Sequence, residues 1–279
     1  MFDLLYNKCY NIYEIGEGKP NTNQRRILMG YTIVLDTETT GLDKCFCYDI
    51  SWVVMDKSNG AIVDFKVNVV EQIWHNLPLF STAYYSEKRP IYISAMKSRK
   101  TVMKKFGYIC QEMIRDFKKY EVVCAYAYNS SFDEKVFDFN CDWFKCANPF
   151  DDVPIYDIRG NVHQFLFDDN YRAFCEKYDF YTDSGCYSST AETVFRYITG
   201  LVDWNEEHTA LSDSEIEATI LEATFDCGAE LNRGYTAKRS LGTPNVEKTL
   251  HIQTAEQTDY YFTYDSIRIN KDKTEIKLK

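Results

Sequence analysis

Two carboxylates, Asp36 and Glu38, stand two residues apart where an apolar run ends, in the stretch VLDTETTGLD at 34–43. Side chains at i and i+2 of a strand share a face, so the pair would emerge together from the end of a buried strand. Like charges there repel, and a hard cation held by oxygen ligands, Mg²⁺ or Mn²⁺, would neutralise them. An Asp-x-Glu pair is also common at solvated strand ends and decides nothing alone. Two more acids change its weight. Asp133 falls in the first turn of a helix that follows a second buried strand, and Asp213 in the first turn of a later helix. Each could merely complement a helix dipole, but adjacent parallel strands bring their carboxyl ends and the following helix starts together. His208, five residues before Asp213, is the side chain suited to moving a proton near neutral pH.

The elements that must position these residues can be read from periodicity. The run from Tyr31, YTIVLDT, is apolar on both faces, as a central strand requires, and Gly41 ends it. ISWVVMD and AIVDFKVNVV follow, separated by the turn signal KSNG, which makes them a hairpin. Residues 98–119 carry Val102, Met103, Phe106, Ile109, Cys110, Met113, Ile114 and Phe117 at helical spacing, and VVCAYAY at 122–128 reads as a buried strand parallel to the first. The rest reads as mainly helical, with a short strand at PIYDI. Three helix starts are marked by capping boxes: Ser131 with Glu134, Ser189 with Glu192, and Ser212 with Glu215. Gly200 closes the second of these helices.

Composition excludes several classes. The 279 residues are 45% hydrophobic, enough for a substantial core. No run of 18 apolar residues appears, and the start MFDLLYNKCY has an Asp where a signal peptide would carry Lys or Arg, so a soluble cytoplasmic protein without a membrane segment is expected. Ten irregularly spaced cysteines without a Cys-x-x-Cys point to reduced, buried thiols rather than a disulfide scaffold. A net charge of −10 argues against coating nucleic acid through a broad basic face, while leaving room for a local contact. One segment runs against the acidity: residues 88–105 hold seven basic residues and no acidic one, a pattern that reads as a solvated helix face.

Taken together, DTETTGLD with Asp36 and Glu38, NSSFD with Asn129 and Asp133, and HTALSD with His208 and Asp213 resemble, in order, the three motifs of the DEDDh, DnaQ-like 3'-to-5' exonucleases. The resemblance covers about 31–225, and the His separated by four residues from the final Asp is its most specific part. Tyr128 departs from it, standing where many members have His. The resemblance implies an α/β, ribonuclease H-like fold with a mixed five-stranded sheet: a three-strand meander, then parallel crossovers, flanked by helices. It implies a domain at 31–230, with an N-terminal extension at 1–30 and a C-terminal appendage at 231–279. It implies two divalent cations, Mg²⁺ or Mn²⁺, held by Asp36, Glu38, Asp133 and Asp213, and a phosphodiester hydrolysis in which His208 takes the proton from the attacking water. Thr39, Thr40, Gly41 and Leu42 would receive the single-stranded 3' end of DNA or RNA, with Leu42 against the last base unless it is a core residue. Asn129 would orient Asp133 or cap its helix. A non-catalytic nucleic-acid-binding module on the same fold, or a proofreading subunit with a polymerase or other protein partner, are the alternatives. His75, His163 and His251 read as structural or surface residues.

Overall fold

The computed structural model describes residues 30–244 and the backbone pairing of four later strands. Apart from Gly30, the expected extension at 1–30 lies outside the described residues. Strands β1 (Tyr31–Thr39), β2 (Cys47–Asp56) and β3 (Ile62–Val70) form an antiparallel meander. Asp56 makes the second turn: its carboxylate accepts from the Ser58 N–H and hydroxyl, and its carbonyl from the Gly60 N–H. Gly60 sits there at φ 71, a conformation that costs glycine little.

Two short helices, α1 (Glu71–Trp74) and α2 (Leu77–Phe80), lead to α3 (Arg89–Lys97). Strand β4 (Val102–Lys104), helix α4 (Phe106–Lys119), strand β5 (Ala125–Ala127), helix α5 (Ser131–Phe144) and strand β6 (Ile155–Asp157) come next. Helices α6 (Ile158–Asn161), α7 (Asp169–Tyr178), α8 (Ala191–Thr199) and α9 (Ala210–Asp226) complete the body. The sheet runs β4-β3-β2-β1-β5-β6, with β5 parallel to β1, β6 parallel to β5, and β4 parallel to β3. This is a mixed, helix-flanked sheet with the expected meander and parallel crossovers.

It has six strands rather than the five expected. Residues 98–105 read as the start of a helix, but Val102–Lys104 pairs alongside Asn68, Val69 and Val70 at the sheet edge. The β-branched pair Thr101 and Val102 favours that extended course, and α4 begins only at Phe106. The three caps also move. The Thr190 hydroxyl accepts from Thr193 N–H for α8 and the Thr209 hydroxyl from Ser212 N–H for α9, while α5 starts after Ser130 with no side-chain cap. Gly200 does close α8, at φ 69.

The strand period of two sorts β1 between two cores. Ile33 and Leu35 pack on one face with Phe106, Ile109, Met113 and Phe137 of α4 and α5. Val34 packs on the other with Ile216, Ile220 and Leu221 of α9 and Val194 of α8. Each such buried aliphatic side chain contributes about 1.5–3 kcal/mol, so the register of β1 is strongly determined. A slip by one residue would send Asp36 and Glu38 to the wrong core.

Beyond Cys227, the chain stays against this body: Lys57 Nζ donates to Asn232, the Tyr126 hydroxyl to the Arg233 carbonyl, and the Lys238 N–H to His163 Nδ1 at 2.7 Å. Gly160 is required there, because a Cβ on it would meet the Tyr235 carbonyl at 1.9 Å. Strands β7 (Lys248–Gln253) and β8 (Asp259–Tyr264) pair antiparallel, as do β9 (Ile267–Ile269) and β10 (Ile276–Leu278). Among the described residues, no helix is long and apolar enough to cross a membrane. All nine cysteines among them are free. Cys110, Cys141 and Cys146 converge, with 4.0 Å between the first two sulfurs.

Candidate active site

The alternation along β1 decides where each acid goes. Asp36 and Glu38 share the parity of Val34 and so face α9, whereas Thr37 shares that of Leu35 and faces α5. Asp36, Glu38 and Asp213 each offer a carboxylate oxygen, and the three atoms lie within 4.8 Å of one another. Asp133 comes from the opposite side of the sheet. The Thr37 hydroxyl donates to its Oδ1 at 2.7 Å, and the carboxylate is buried. Thus a strand end and two helices from opposite faces put all four expected acids at the carboxyl end of β1, next to that of β5.

Their electrostatics follow from that packing. Burial raises the Asp36 pKa well above the ordinary value, and Glu217, Asp213, Asp133 and Glu38 push it further in that order. Glu38 is raised to about 8 by burial and by Asp49, against the lowering effect of Lys88. Asp213 reaches about 9 through burial, Glu206 and Glu38, and Asp133 about 7 through burial despite its bond from Thr37. Asp213 Oδ1 is buried without a hydrogen-bond partner. Three carboxylate oxygens within 4.8 Å of one another, from residues one of which also has a buried oxygen without a partner, form a donor set suited to a hard divalent cation.

His208 lies at the Asp213 edge of the cluster. One of its ring nitrogens, a carboxylate oxygen of Asp213 and one of Glu206 lie within 4.8 Å of each other, and Nδ1 is 3.4 Å from Glu206 Oε2. The imidazole is half-buried and its pKa is lowered, first by desolvation and then by Lys88, so it is held neutral and able to accept a proton. His163, in contrast, is buried in the core beside Lys238 and pushed down to about 4 by burial, and His75 is exposed on the surface. The side chain of His251 lies outside the described residues.

The first motif continues around the site. Register shifts between Glu38 and Thr39, which turns the chain out of the sheet. The Thr39 hydroxyl donates to the Gly41 carbonyl, and the buried Thr40 donates its N–H to the Phe46 carbonyl. A Cβ on Gly41 would meet nothing within 4 Å, so no packing within the protein requires glycine there. Leu42 is 73% exposed, which removes the reading of it as a core residue. Asn129 is exposed at φ 62, and its N–H donates to Asp157 Oδ1 at 2.9 Å. It does not cap α5, since the N-cap position belongs to Ser130.

Sequence reasoning missed two buried acids. Glu217 lies one helical turn after Asp213 and points to the same side; it is buried, accepts from the Tyr128 N–H at 3.0 Å, and is raised well above the ordinary range by burial and then Asp133. The i, i+4 spacing of Asp213 and Glu217 was the available signal. Asp49, opposite Glu38 in the β1–β2 register, is fully buried and raised to about 6 by burial. Its Oδ2 accepts from the Tyr92 hydroxyl at 2.8 Å and from the Ala210 N–H at 3.0 Å. A cavity of about 370 Å³ beside Lys105, Tyr108 and Arg115 shares no residue with this cluster.

No protein-family model matches the chain, and no curated protein does. Among solved structures, the nuclease domain of 3'hExo, a DEDDh family member bound to rAMP, matches with a TM-score of 0.49 and 14% identity, over 75% of this chain and 99% of that one. Escherichia coli exonuclease I in complex with a dT13 oligonucleotide matches with a TM-score of 0.46 and 15% identity, over 70% of this chain. A zinc-bound form of its complex with single-stranded DNA gives 0.44 and 11%. The chain spans 40% of the length of those exonuclease I chains. The chain itself is an α/β protein with a mixed six-stranded sheet.

Proposed function

We propose that the chain is a divalent-cation-dependent 3'-to-5' exonuclease that hydrolyses the terminal phosphodiester bond of a DNA or RNA strand and releases nucleoside 5'-monophosphates. The observation that carries this reading is the convergence of one carboxylate oxygen each from Asp36, Glu38 and Asp213 within 4.8 Å of one another; Asp213 also has a buried oxygen, Oδ1, without a hydrogen-bond partner. Four acids of three distant segments would not be buried together for stability, since each raises the cost of ionising its neighbours.

Asp36, Glu38 and Asp213 would hold one Mg²⁺ or Mn²⁺, and Asp36 with Asp133 would serve a second. When bound, these cations supply positive charge against the negative charge that builds on the phosphate during displacement. The half-buried neutral imidazole of His208 accepts the proton of the attacking water at a ring nitrogen, and the Glu192 carboxylate favours the imidazolium that results. Leu42, exposed beside the open space over Gly41, is free to pack on the terminal base, and Thr39, Thr40 and Asn129 border the place of the terminal sugar. Stacking of this kind reads no sequence.

The test is polarity. A 5'-labelled single strand, given Mn²⁺, should shorten one nucleotide at a time, and chelator should stop it. A 3'-phosphate should slow the reaction. Early release of internal fragments, or shortening from the 5' end, would overturn the reading.

A further inference from the structure

The basic run at 88–105 reads in sequence as a solvated helix face, and three of its seven basic residues depart from that. Lys97, Arg99, Lys100 and Lys105 are exposed. Lys104 pairs with Glu112, and Arg89 lies over the Trp74 ring at 4.2 Å. Lys88 turns toward the acid cluster, and its ammonium donates to the carbonyls of Glu207 and His208, the latter at 3.2 Å.

That contact has a purpose if the backbone it grips is under strain. His208 has φ 49, in the left-handed region that a non-glycine residue keeps only when its surroundings impose it. Lys88 fixes the carbonyls on either side of that strained unit. Tyr85 fixes the side chain: its ring stacks on the imidazole with centroids 4.7 Å apart and planes 12° apart. The same Lys88 ammonium lies 4.0 Å from the centroid of the Tyr85 ring, so ammonium, phenol and imidazole are linked in one group. The segment that carries Tyr85 and Lys88 is itself tied to the first motif, through the Thr82 hydroxyl on the Thr40 carbonyl at 3.3 Å. Glu206 approaches the imidazole through Nδ1. The ring thus has a stacked face, an edge beside a carboxylate and a clamped backbone.

We propose that Tyr85 and Lys88 are positioning residues for His208, holding its imidazole at the Asp213 edge of the carboxylate cluster. The role rests on the exonuclease reading, since it assigns these residues to the orientation of that reaction's base. A loosened imidazole would still allow substrate to bind but would seldom be placed to take the proton. Misplacement by about 1 Å can cost about a hundredfold in rate.

Tyr85→Leu is the cleaner variant, because Lys88 also faces Glu38, Glu206 and Asp213 and its loss alters their charge balance. On a 5'-labelled oligonucleotide with Mn²⁺, Tyr85→Leu should lower kcat by roughly ten- to a hundredfold with KM within about twofold of wild type. Tyr85→Phe, which keeps the ring, should stay within about threefold of wild type in kcat. Added to His208→Ala, Tyr85→Leu should cost almost nothing more, because the group it positions is gone. A KM effect with unchanged kcat would make Tyr85 a substrate contact, and equal losses in the wild-type and His208→Ala backgrounds would give it a role apart from His208; either overturns the proposal. The His208 ring protons give a readout independent of turnover. They should show an aromatic ring-current shift in wild type and Tyr85→Phe that Tyr85→Leu loses, and a wild type without the shift refutes the stack. An inert wild type that retains the shift would overturn the exonuclease reading, and the positioning role with it, while leaving the stack in place.

Discussion

At the scale of single residues, the proposed reaction divides proton transfer and charge between different groups. His208 is the group near the cluster whose ordinary pKa lies close to neutrality, and its environment lowers rather than raises it. His208→Ala should therefore reduce turnover by about 10² to 10⁴ while Mn²⁺ binding and KM stay near wild type. Single-turnover kinetics beside a Mn²⁺ titration would check this, and wild-type turnover would return His208 to the surface. Glu217 is a different case. It is buried behind the expected acids and is the foremost charge opposing ionisation of Asp36. Glu217→Gln keeps the acceptor for the Tyr128 N–H and removes that repulsion, so the metal-free protein at pH 8 should gain about 1 kcal/mol, or roughly 2–4 °C in Tm. A fall in Tm, read by thermal melts in chelator, would mean that the Glu217 charge is satisfied in a way these contacts do not account for.

At the scale of elements, Asp49 joins three of them at one carboxylate oxygen. Strand β2 supplies the acid, α3 the Tyr92 hydroxyl, and α9 the Ala210 N–H. That last bond satisfies one of the N–H groups a helix start leaves unpaired, and it fixes the start of the helix that carries Asp213. Asp49→Ala strands both donors in a buried place at about 1–3 kcal/mol each, and should lower the denaturant midpoint accordingly without changing the slope. Asp49→Asn keeps an acceptor and should lose far less. Equal losses for the two variants, measured by urea unfolding, would show that the charge and not the acceptor matters.

At the scale of the whole molecule, the cluster makes stability depend on pH and metal. Folded-state pKa values of about 8 for Glu38 and about 9 for Asp213 lie above their unfolded values near 4. Below about pH 4 both states are protonated and the shift has no effect. Above it the unfolded chain ionises first, so the metal-free protein should lose stability as pH rises from about 4 to about 9. Under the proposed function Mn²⁺ would compete with those protons, and its affinity should rise over the same window. At a hundredfold excess over its dissociation constant, Mn²⁺ should stabilise wild type by about 2.7 kcal/mol. Asp36→Asn should be at least as stable as wild type in chelator, gain much less from Mn²⁺, and be inactive. Melting curves across pH, with chelator and with Mn²⁺, test all of this. A variant that melts well below wild type in chelator and responds equally to Mn²⁺ would make Asp36 a structural acid.

What the sequence by itself determined is whatever depends on local period and spacing. The parity of Asp36 and Glu38, the meander, the parallel return of β5, and the placing of Asp133 and Asp213 in first helical turns could all be read from it, because strand and helix periods fix which side chains share a face. The edge strand β4 could not, because three residues carry too little pattern and its pairing partner lies more than thirty residues earlier. Nor could the caps, since neighbouring Ser and Thr residues compete for one position and packing chooses among them. Asp49 and the Tyr85–Lys88 contact with His208 were decided by tertiary structure alone, as was the burial of Glu217, of which only the spacing from Asp213 shows in the sequence. Their meaning comes from partners in distant segments: Asp36 for Glu217, Ala210 for Asp49, and a strained backbone turn some 120 residues away for Lys88. No local period encodes a contact of that range; only the closure of the two cores around β1 brings those groups together.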